Sequence, residues 1–342
     1  MKKLIGNRDV KEMLLRLLRT GRVPNALLFA GPEGVGKKQF ALGLARSLVC
    51  TRPDDGEGCG HCAACKRVGE FAIPKFERGQ DSDYVFFSQH PDVGLVVPYN
   101  RNLRIGAIRA LEREANFRPY EAGARVFIVE DADKMNEHAS NALLKTLEEP
   151  PPTSHIILIA ARADSLLPTI RSRCQTIRFA PAPFDDIEEH LIATERFSAD
   201  DAALAARVSG GSIGRALEIV PASFRTQRSL MLAVLRSALA GNRRELLAGS
   251  EEMADAKNKD EYEENLGILQ GLIHDVWLLR NGADESGILN SDIKSELSQL
   301  AETASAPALA LWLGEIETVQ ENFIVNINRR IATDSLFVKM AA

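Results

Sequence analysis

The 342 residues predict an α/β fold built on a parallel sheet and continued by all-helical segments. Three observations carry that expectation. Short apolar runs alternate with helical patterns up to about residue 180, and a glycine-rich loop separates the first run from the helix after it. The composition then changes at Pro181 and Pro183, beyond which no strand pattern occurs. At roughly 150 residues per domain the length allows two or three domains, and 45% hydrophobic residues supply ordinary cores.

Val10, Met13, Leu14, Leu17 and Leu18 recur at spacings of three and four, which predicts an amphipathic helix stopped by Gly21 and Pro24. Ala26 to Ala30 is a short apolar run and reads as a strand. Gly31-Pro32-Glu33-Gly34-Val35-Gly36-Lys37-Lys38 follows it, and Phe40 to Val49 resumes a helical period. Cys50 to Cys65 is rich in Gly, Cys and charge and reads as an inserted loop; Phe71 to Gln89 has no clear periodicity. Further strands are predicted at Val93 to Val97, Arg125 to Glu130 and His155 to Ala161, with a weaker one at Gln175 to Phe179. Helices at Ile105 to Asn116 and His138 to Glu149 lie between them, so the sheet is parallel and covered on both faces. Three short helices fit residues 182 to about 219, with the Ser209-Gly210-Gly211-Ser212 turn before the last. Longer ones follow, such as Gln227 to Ala240 and Tyr262 to Arg280.

Lys and Arg number 42 against 47 Asp and Glu, a net charge of −5, so no global basic field draws the chain to nucleic acid. Arg101, Arg104, Arg109 and Arg113 invite a local DNA-contact reading, but Glu112 and Glu114 dilute it, and a solvated helix face is the preferred expectation. The longest apolar runs, such as Ile156 to Ala161, fall far short of the ~20 residues of a membrane span. Asn7, Arg8, Asp9, Lys11 and Glu12 interrupt any secretory apolar region, so a cytoplasmic location is expected.

Gly31 to Lys37 fits G-x-x-x-x-G-K with a strand before it and a helix after it. Gly31, Gly34 and Gly36 allow backbone N–H groups to converge on a phosphate, the helix N-terminus adds its dipole, and Lys37 is within reach of terminal phosphates. The next position normally carries the hydroxyl that ligates Mg²⁺. Here it is Lys38, which has donors only and a charge that opposes the ion. At the end of the Val126 to Val129 strand stand Glu130 and Asp131, the reverse of the Asp-Glu order that serves metal and attacking water. They read either as solvated acids or as a weak metal site. Nucleotide binding is doubtful on these grounds, and hydrolysis more so.

Cys50, Cys59, Cys62 and Cys65 place four thiols on a short loop with two overlapping C-x-x-C steps, enough for a closed tetrahedral structural Zn²⁺ site. The competing reading is free or redox-active cysteines. His61 is a conceivable substitute ligand, but its adjacency to Cys62 makes joint ligation awkward. Cys174 reads as a small buried residue at a strand start.

Together Gly31 to Lys37, the Cys50 to Cys65 knuckle, Asn141-Ala142-Leu143-Leu144-Lys145-Thr146-Leu147-Glu148-Glu149-Pro150-Pro151 and Arg171-Ser172-Arg173-Cys174 resemble the clamp-loader branch of the AAA+ proteins. Within it they are most similar to the delta-prime subunits of bacterial DNA polymerase III. The resemblance implies an AAA+ P-loop core over residues 1–180 with a zinc module at 50–65, a helical lid over 181–223 and an all-α collar domain over 224–342. Lys38, the Glu130-Asp131 order, and Ala160-Ala161-Arg162 in place of a polar sensor favour the non-hydrolysing stator over a gamma-like ATPase. The resemblance also implies that Arg173 is an arginine finger acting on a neighbour's ATP, and that Arg215 matches a second nucleotide sensor. Read alone, Arg171 and Arg173 fit solvation or pairing with Glu148 and Glu149 equally well. Ala142, Leu143 and Leu147 read first as a packing face, with Pro150 to Pro152 ending the helix. The implied partners are gamma/tau-like ATPases and a delta-like subunit, with the sliding clamp and primer-template DNA met through the complex and no membrane.

Overall fold

The structure, a computed structural model, describes residues 4–74, 84–99, 102–254, 259–284, 287–322 and 328–341. The chain divides into two compact units, Met1–Ile187 with Gly211–Gly214, and Glu188–Gly210 with Arg215–Ala342. In the first, helix α1 (Arg8–Arg19) precedes strand β1 (Ala26–Ala30), helix α2 (Lys37–Val49) and the short helix α3 (Ala63–Arg67). Strands β2 (Phe86–Phe87) and β3 (Val93–Val96), helix α4 (Ile105–Ala115) and strand β4 (Arg125–Val129) come next. Helix α5 (Glu137–Glu148), strand β5 (Ser154–Ala160), the single turn α6 (Pro168–Arg171) and strand β6 (Gln175–Arg178) complete the sheet.

The six strands lie in the order β2-β3-β4-β5-β1-β6. All pairings are parallel except that of β2 with β3. Register decides where the chemistry sits. Ala30 pairs with Ala160 and Val129 with Leu158, so the carboxyl ends of β1, β4 and β5 share one edge of the sheet. The glycine loop leaves β1 and the acidic pair leaves β4, so a parallel sheet brings them together.

The inner strands β1, β3, β4 and β5 are buried on both faces almost throughout, as expected for helices on both sides, whereas the edge strand β6 exposes Gln175, Thr176 and Arg178. Leu27 and Phe29 of β1 join Val126, Ile128, Ile157 and Ile159 against Leu14, Phe40 and Leu44 of α1 and α2. The alternate residues Leu28, Phe127, Val129, Ile156 and Leu158 meet Ile108 and Leu111 of α4 and Leu143 and Leu147 of α5. Helix α5 stops at Glu148, immediately before Glu149 and the Pro150 to Pro152 run, because proline lacks an N–H and disfavours a helical residue before it.

One buried charge fixes the far end of the sheet. Asp92 is fully buried and accepts the backbone N–H groups of Tyr120, Glu121 and Ala122 at 2.7, 3.0 and 3.0 Å. Its Oδ1 also lies 3.7 Å from Nε of the equally buried Arg125. Arg125 stacks near the rings of Phe87, Tyr120 and Phe127 at 5.4, 5.2 and 5.2 Å and reaches the Glu114 carboxylate at 3.1 Å. Asp92→Ala removes one partner of a buried pair and orphans three loop amides. It is expected to cost about 3 kcal/mol in urea unfolding; a change within ~0.5 kcal/mol would show that the cluster is not an anchor.

The second unit is helical: α7 (Phe184–Ala193) leads into it, and α8 (Ala199–Val208) and α9 (Ile213–Glu218) come before the long α10 (Pro221–Leu239). Helices α11 (Arg243–Ala254), α12 (Lys259–Arg280), α13 (Lys294–Thr303), α14 (Ala306–Asn322) and α15 (Arg329–Met340) follow. Leu235, Leu266, Leu269, Ile273, Leu309, Ile316 and Phe337 meet in one core. Buried Asp275 accepts from the Leu289 and Asn290 backbone at 2.9 and 2.8 Å, and nearby Arg228 pairs with Asp292 at 2.5 Å. Among the described residues no helix is long and apolar enough to cross a membrane.

Candidate functional site

The glycine loop is closed on itself. Gly31 sits at φ 155°, and a Cβ there would lie 2.3 Å from the carbonyl oxygen of Phe179, so only glycine fits between β1 and the chain leaving β6. Gly36 caps α2 with φ 94°. The Gly214 N–H donates to the Gly34 carbonyl at 2.9 Å. Lys37, only 6% exposed, donates from Nζ to the carbonyls of Gly31 and Pro32 at 2.5 and 2.6 Å. Burial pulls its pKa below that of an ordinary lysine, with Glu33, Asp133 and Asp131 acting in the opposite direction. The ammonium suited to terminal phosphates is thus engaged by the loop's own carbonyls.

Lys38 and Glu130 face each other across the carboxyl edge of the sheet. Lys38 Nζ lies 2.5 Å from Glu130 Oε1. That oxygen accepts no hydrogen bond of normal geometry, so the contact is a charge pair. A hydroxyl and a carboxylate at these positions would share a divalent cation, whereas here the chain supplies the cation itself. Asp131 adopts φ 47°, a left-handed conformation that Asp tolerates, and its carboxylate meets Lys134 Nζ at 2.8 Å. That hydrogen bond raises the Lys134 pKa. The structure therefore brings Gly31, Gly34, Gly36, Lys37, Lys38, Glu130 and Asp131 to one edge, with both acids paired to lysines.

Arg173 lies in the turn between α6 and β6. Its Nη2 meets Glu148 Oε1 at 2.6 Å, and Nη1 donates to the Thr169 carbonyl at 2.9 Å and more weakly to Ser172 Oγ at 3.4 Å. Of the pairings open to the two arginines, Arg173 takes Glu148, whereas Arg171 turns to Asp164. Cys174 is buried just before β6, and burial raises its thiol pKa to about 12. Arg215 belongs to the second unit, where it lines a cleft of about 760 Å³ with Glu218, Gln270, His274 and Glu317. On α4, Arg109 and Arg113 are exposed. Arg104 stacks on Tyr99 at 5.1 Å, and Arg101 lies outside the described residues.

The four cysteines converge as their spacing predicts. Sγ of Cys50 lies 3.6 Å from that of Cys59 and 3.9 Å from that of Cys62; Cys59 and Cys65 are 4.0 Å apart, and all four fall within 4.8 Å of one another. Ligands at about 2.3 Å in a tetrahedron stand about 3.8 Å apart, so the set fits a thiolate-bound metal. Backbone N–H groups of Cys59, Cys62 and Cys65 point at the sulfurs of Cys50, Cys59 and Cys62 at 3.4 Å each. The Cys65 amide is the main cause that draws the Cys62 thiol down to about 5. His61 instead directs Nδ1 at the Cys59 carbonyl at 2.7 Å, which leaves the sulfurs as the ligand set.

Two contacts that spacing did not reveal dock this knuckle. The Gly58 N–H donates to Ser47 Oγ at 2.9 Å, and a Cβ at Gly58 would stand 2.9 Å from the Arg46 backbone. Arg67 of α3 pairs with Glu121 at 2.7 Å, in the loop that Asp92 holds. Neither contact leaves a local pattern in the sequence.

The family described as DNA polymerase III, delta subunit, matches residues 6–183, and the one described as DNA polymerase III, delta subunit, C terminal, matches residues 223–338. The chain belongs to the DNA polymerase III delta-subunit family. Within that family it is similar to delta' subunits. The delta' subunit of Escherichia coli (strain K12) is 29% identical over 333 residues, covering 96% of this chain and 92% of that protein. The delta' subunit of Bacillus subtilis (strain 168) is 36% identical over 183 residues, 54% of this chain and 50% of its own length. The tau subunit of Escherichia coli (strain K12) is 23% identical over 359 residues, 99% of this chain and 53% of that one. Among solved structures, the Thermotoga maritima RuvB Holliday junction branch migration motor aligns over 88% of each chain with 14% identity and a TM-score of 0.43. In this delta-prime-like chain, among the described residues, the α/β core is followed by helices only, as expected.

Proposed function

We propose that this delta-prime-like clamp-loader subunit is a non-hydrolysing stator, which holds a ring of gamma/tau-like and delta-like partners in shape and supplies Arg173 to a neighbour's ATP. The Lys38–Glu130 pair carries the reading: a fixed ammonium stands where catalysis needs a divalent cation. Lys37 bound to loop carbonyls and Asp131 bound to Lys134 point the same way. Productive hydrolysis would have to break all three arrangements and still place a water in line.

In this reading residues 181–223 are the lid, 224–342 the collar, and Arg215 braces the lid. Cys50, Cys59, Cys62 and Cys65 hold a structural Zn²⁺, since four thiolates leave no open position for a reacting water. The clamp and primer-template DNA are met through the cytoplasmic complex, which agrees with the net charge of −5. The test is to purify the chain alone and together with the other subunits. The expected result is stable co-purification, with no phosphate released from Mg²⁺-ATP by the isolated chain; sustained turnover would make it a gamma-like ATPase instead.

A further inference from the structure

The geometry points to Glu148 as the positioning residue that holds Arg173 ready for the neighbouring nucleotide, an inference that rests on Arg173 being the finger. Glu148 is the last residue of α5, followed by Glu149. Two carboxylates at the negative end of a helix dipole are electrostatically disfavoured. Lys145 in the last turn offsets them in part, and Glu148 also pairs with Arg173 at 2.6 Å.

The elements that carry the contacts share a core. Leu143 and Leu147 of α5 and Ile170 of α6 are packed into one core cluster. Glu148 and Thr169 thus offer a carboxylate and a carbonyl from two elements that share this core. The Thr169 carbonyl and, weakly, Ser172 Oγ take the two N–H groups of Nη1, while the Glu148 carboxylate pairs with the charge at Nη2. A guanidinium has five N–H donors, so Nε–H and one Nη2–H stay available for phosphate oxygens. The Arg173 side chain keeps 34% of its exposure. A long flexible arm is therefore held by part of its fork while the remainder is presented, which is the arrangement that shortens the search for in-line geometry. Arg171 lacks it, being turned to exposed Asp164.

Glu148→Gln keeps size and shape and removes the charge. It is tested in the reconstituted loader beside Arg173→Ala, reading ATP turnover stimulated by primed DNA and clamp, with its KM, and the thermal midpoint of the free chain. Glu148→Gln is expected to lower kcat at the served site by roughly threefold to fivefold, the scale of an exposed ion pair, with KM for ATP and the midpoint unchanged. Unchanged or raised kcat with Glu148→Gln, when Arg173→Ala lowers it, would overturn the positioning role and leave the finger standing. No effect of Arg173→Ala would overturn the finger itself, and Glu148 with it.

Discussion

Arg173→Ala is expected to leave the complex assembled while slowing ATP turnover at the site it serves by roughly 10³-fold, the scale of a lost arginine finger. The guanidinium is permanently charged and planar, so it stabilises charge on a transferring phosphoryl group without a proton change. Its present partners do not oppose that use. The Glu148 pair is solvent-facing on both sides, with side chains 34% and 50% exposed, and pairs of that kind are worth about 0–1 kcal/mol. A phosphate arriving from a neighbour shares the guanidinium with this contact, taking the N–H groups the contact leaves open. Arg173→Lys keeps the charge and loses the fork, so it is expected to recover only a small part of the rate. Unchanged loading and hydrolysis by Arg173→Ala would remove the chain from its neighbour's chemistry.

Stripping metal from the knuckle should have the largest structural effect. Between Cys50 and Val68 the buried apolar residues are few, with Ala64, Cys65 and Val68 the main ones. With a metal bound there, thiolate–metal bonds would supply most of what holds the segment, since structural zinc sites contribute about 10 kcal/mol or more at neutral pH. Purified protein is expected to carry about one equivalent of zinc. Cys62→Ser is expected to lower that content and to expose residues 50–68 to protease while the sheet stays protected. Because Arg67 pairs with Glu121, faster amide exchange is also expected at 120–122. Metal-free protein with an equally protected knuckle would refute the site.

Much of the fold was legible because it is local and periodic. Apolar runs gave β1, β3, β4, β5 and β6, and helical spacing gave α1, α2, α4 and α5. Strand β2 was not legible: two residues, Phe86 and Phe87, carry no period, and their pairing with Leu95 and Gly94 is set by tertiary contact. A single turn such as α6 escapes for the same reason. The cysteine site was readable because all four ligands lie on one short loop. The partners of the catalytic-looking residues were not. Lys38 and Glu130 are separated by most of the sheet in sequence, and the Asp131 to Lys134 contact depends on a left-handed residue. The sequence could only leave open whether Arg173 pairs with Glu148; the choice follows from the packing of α5 against α6.

The Lys38–Glu130 pair has a consequence for mass action. An ion that binds from solution occupies its site according to its concentration, and so makes the protein's conformational balance a function of supply. A cation carried on the chain is present at the site at a local concentration that does not vary with supply. On the proposed stator reading, the carboxyl edge of this sheet would then not depend on the magnesium pool. A stator of this kind would give its partners a reference that does not shift with ion supply.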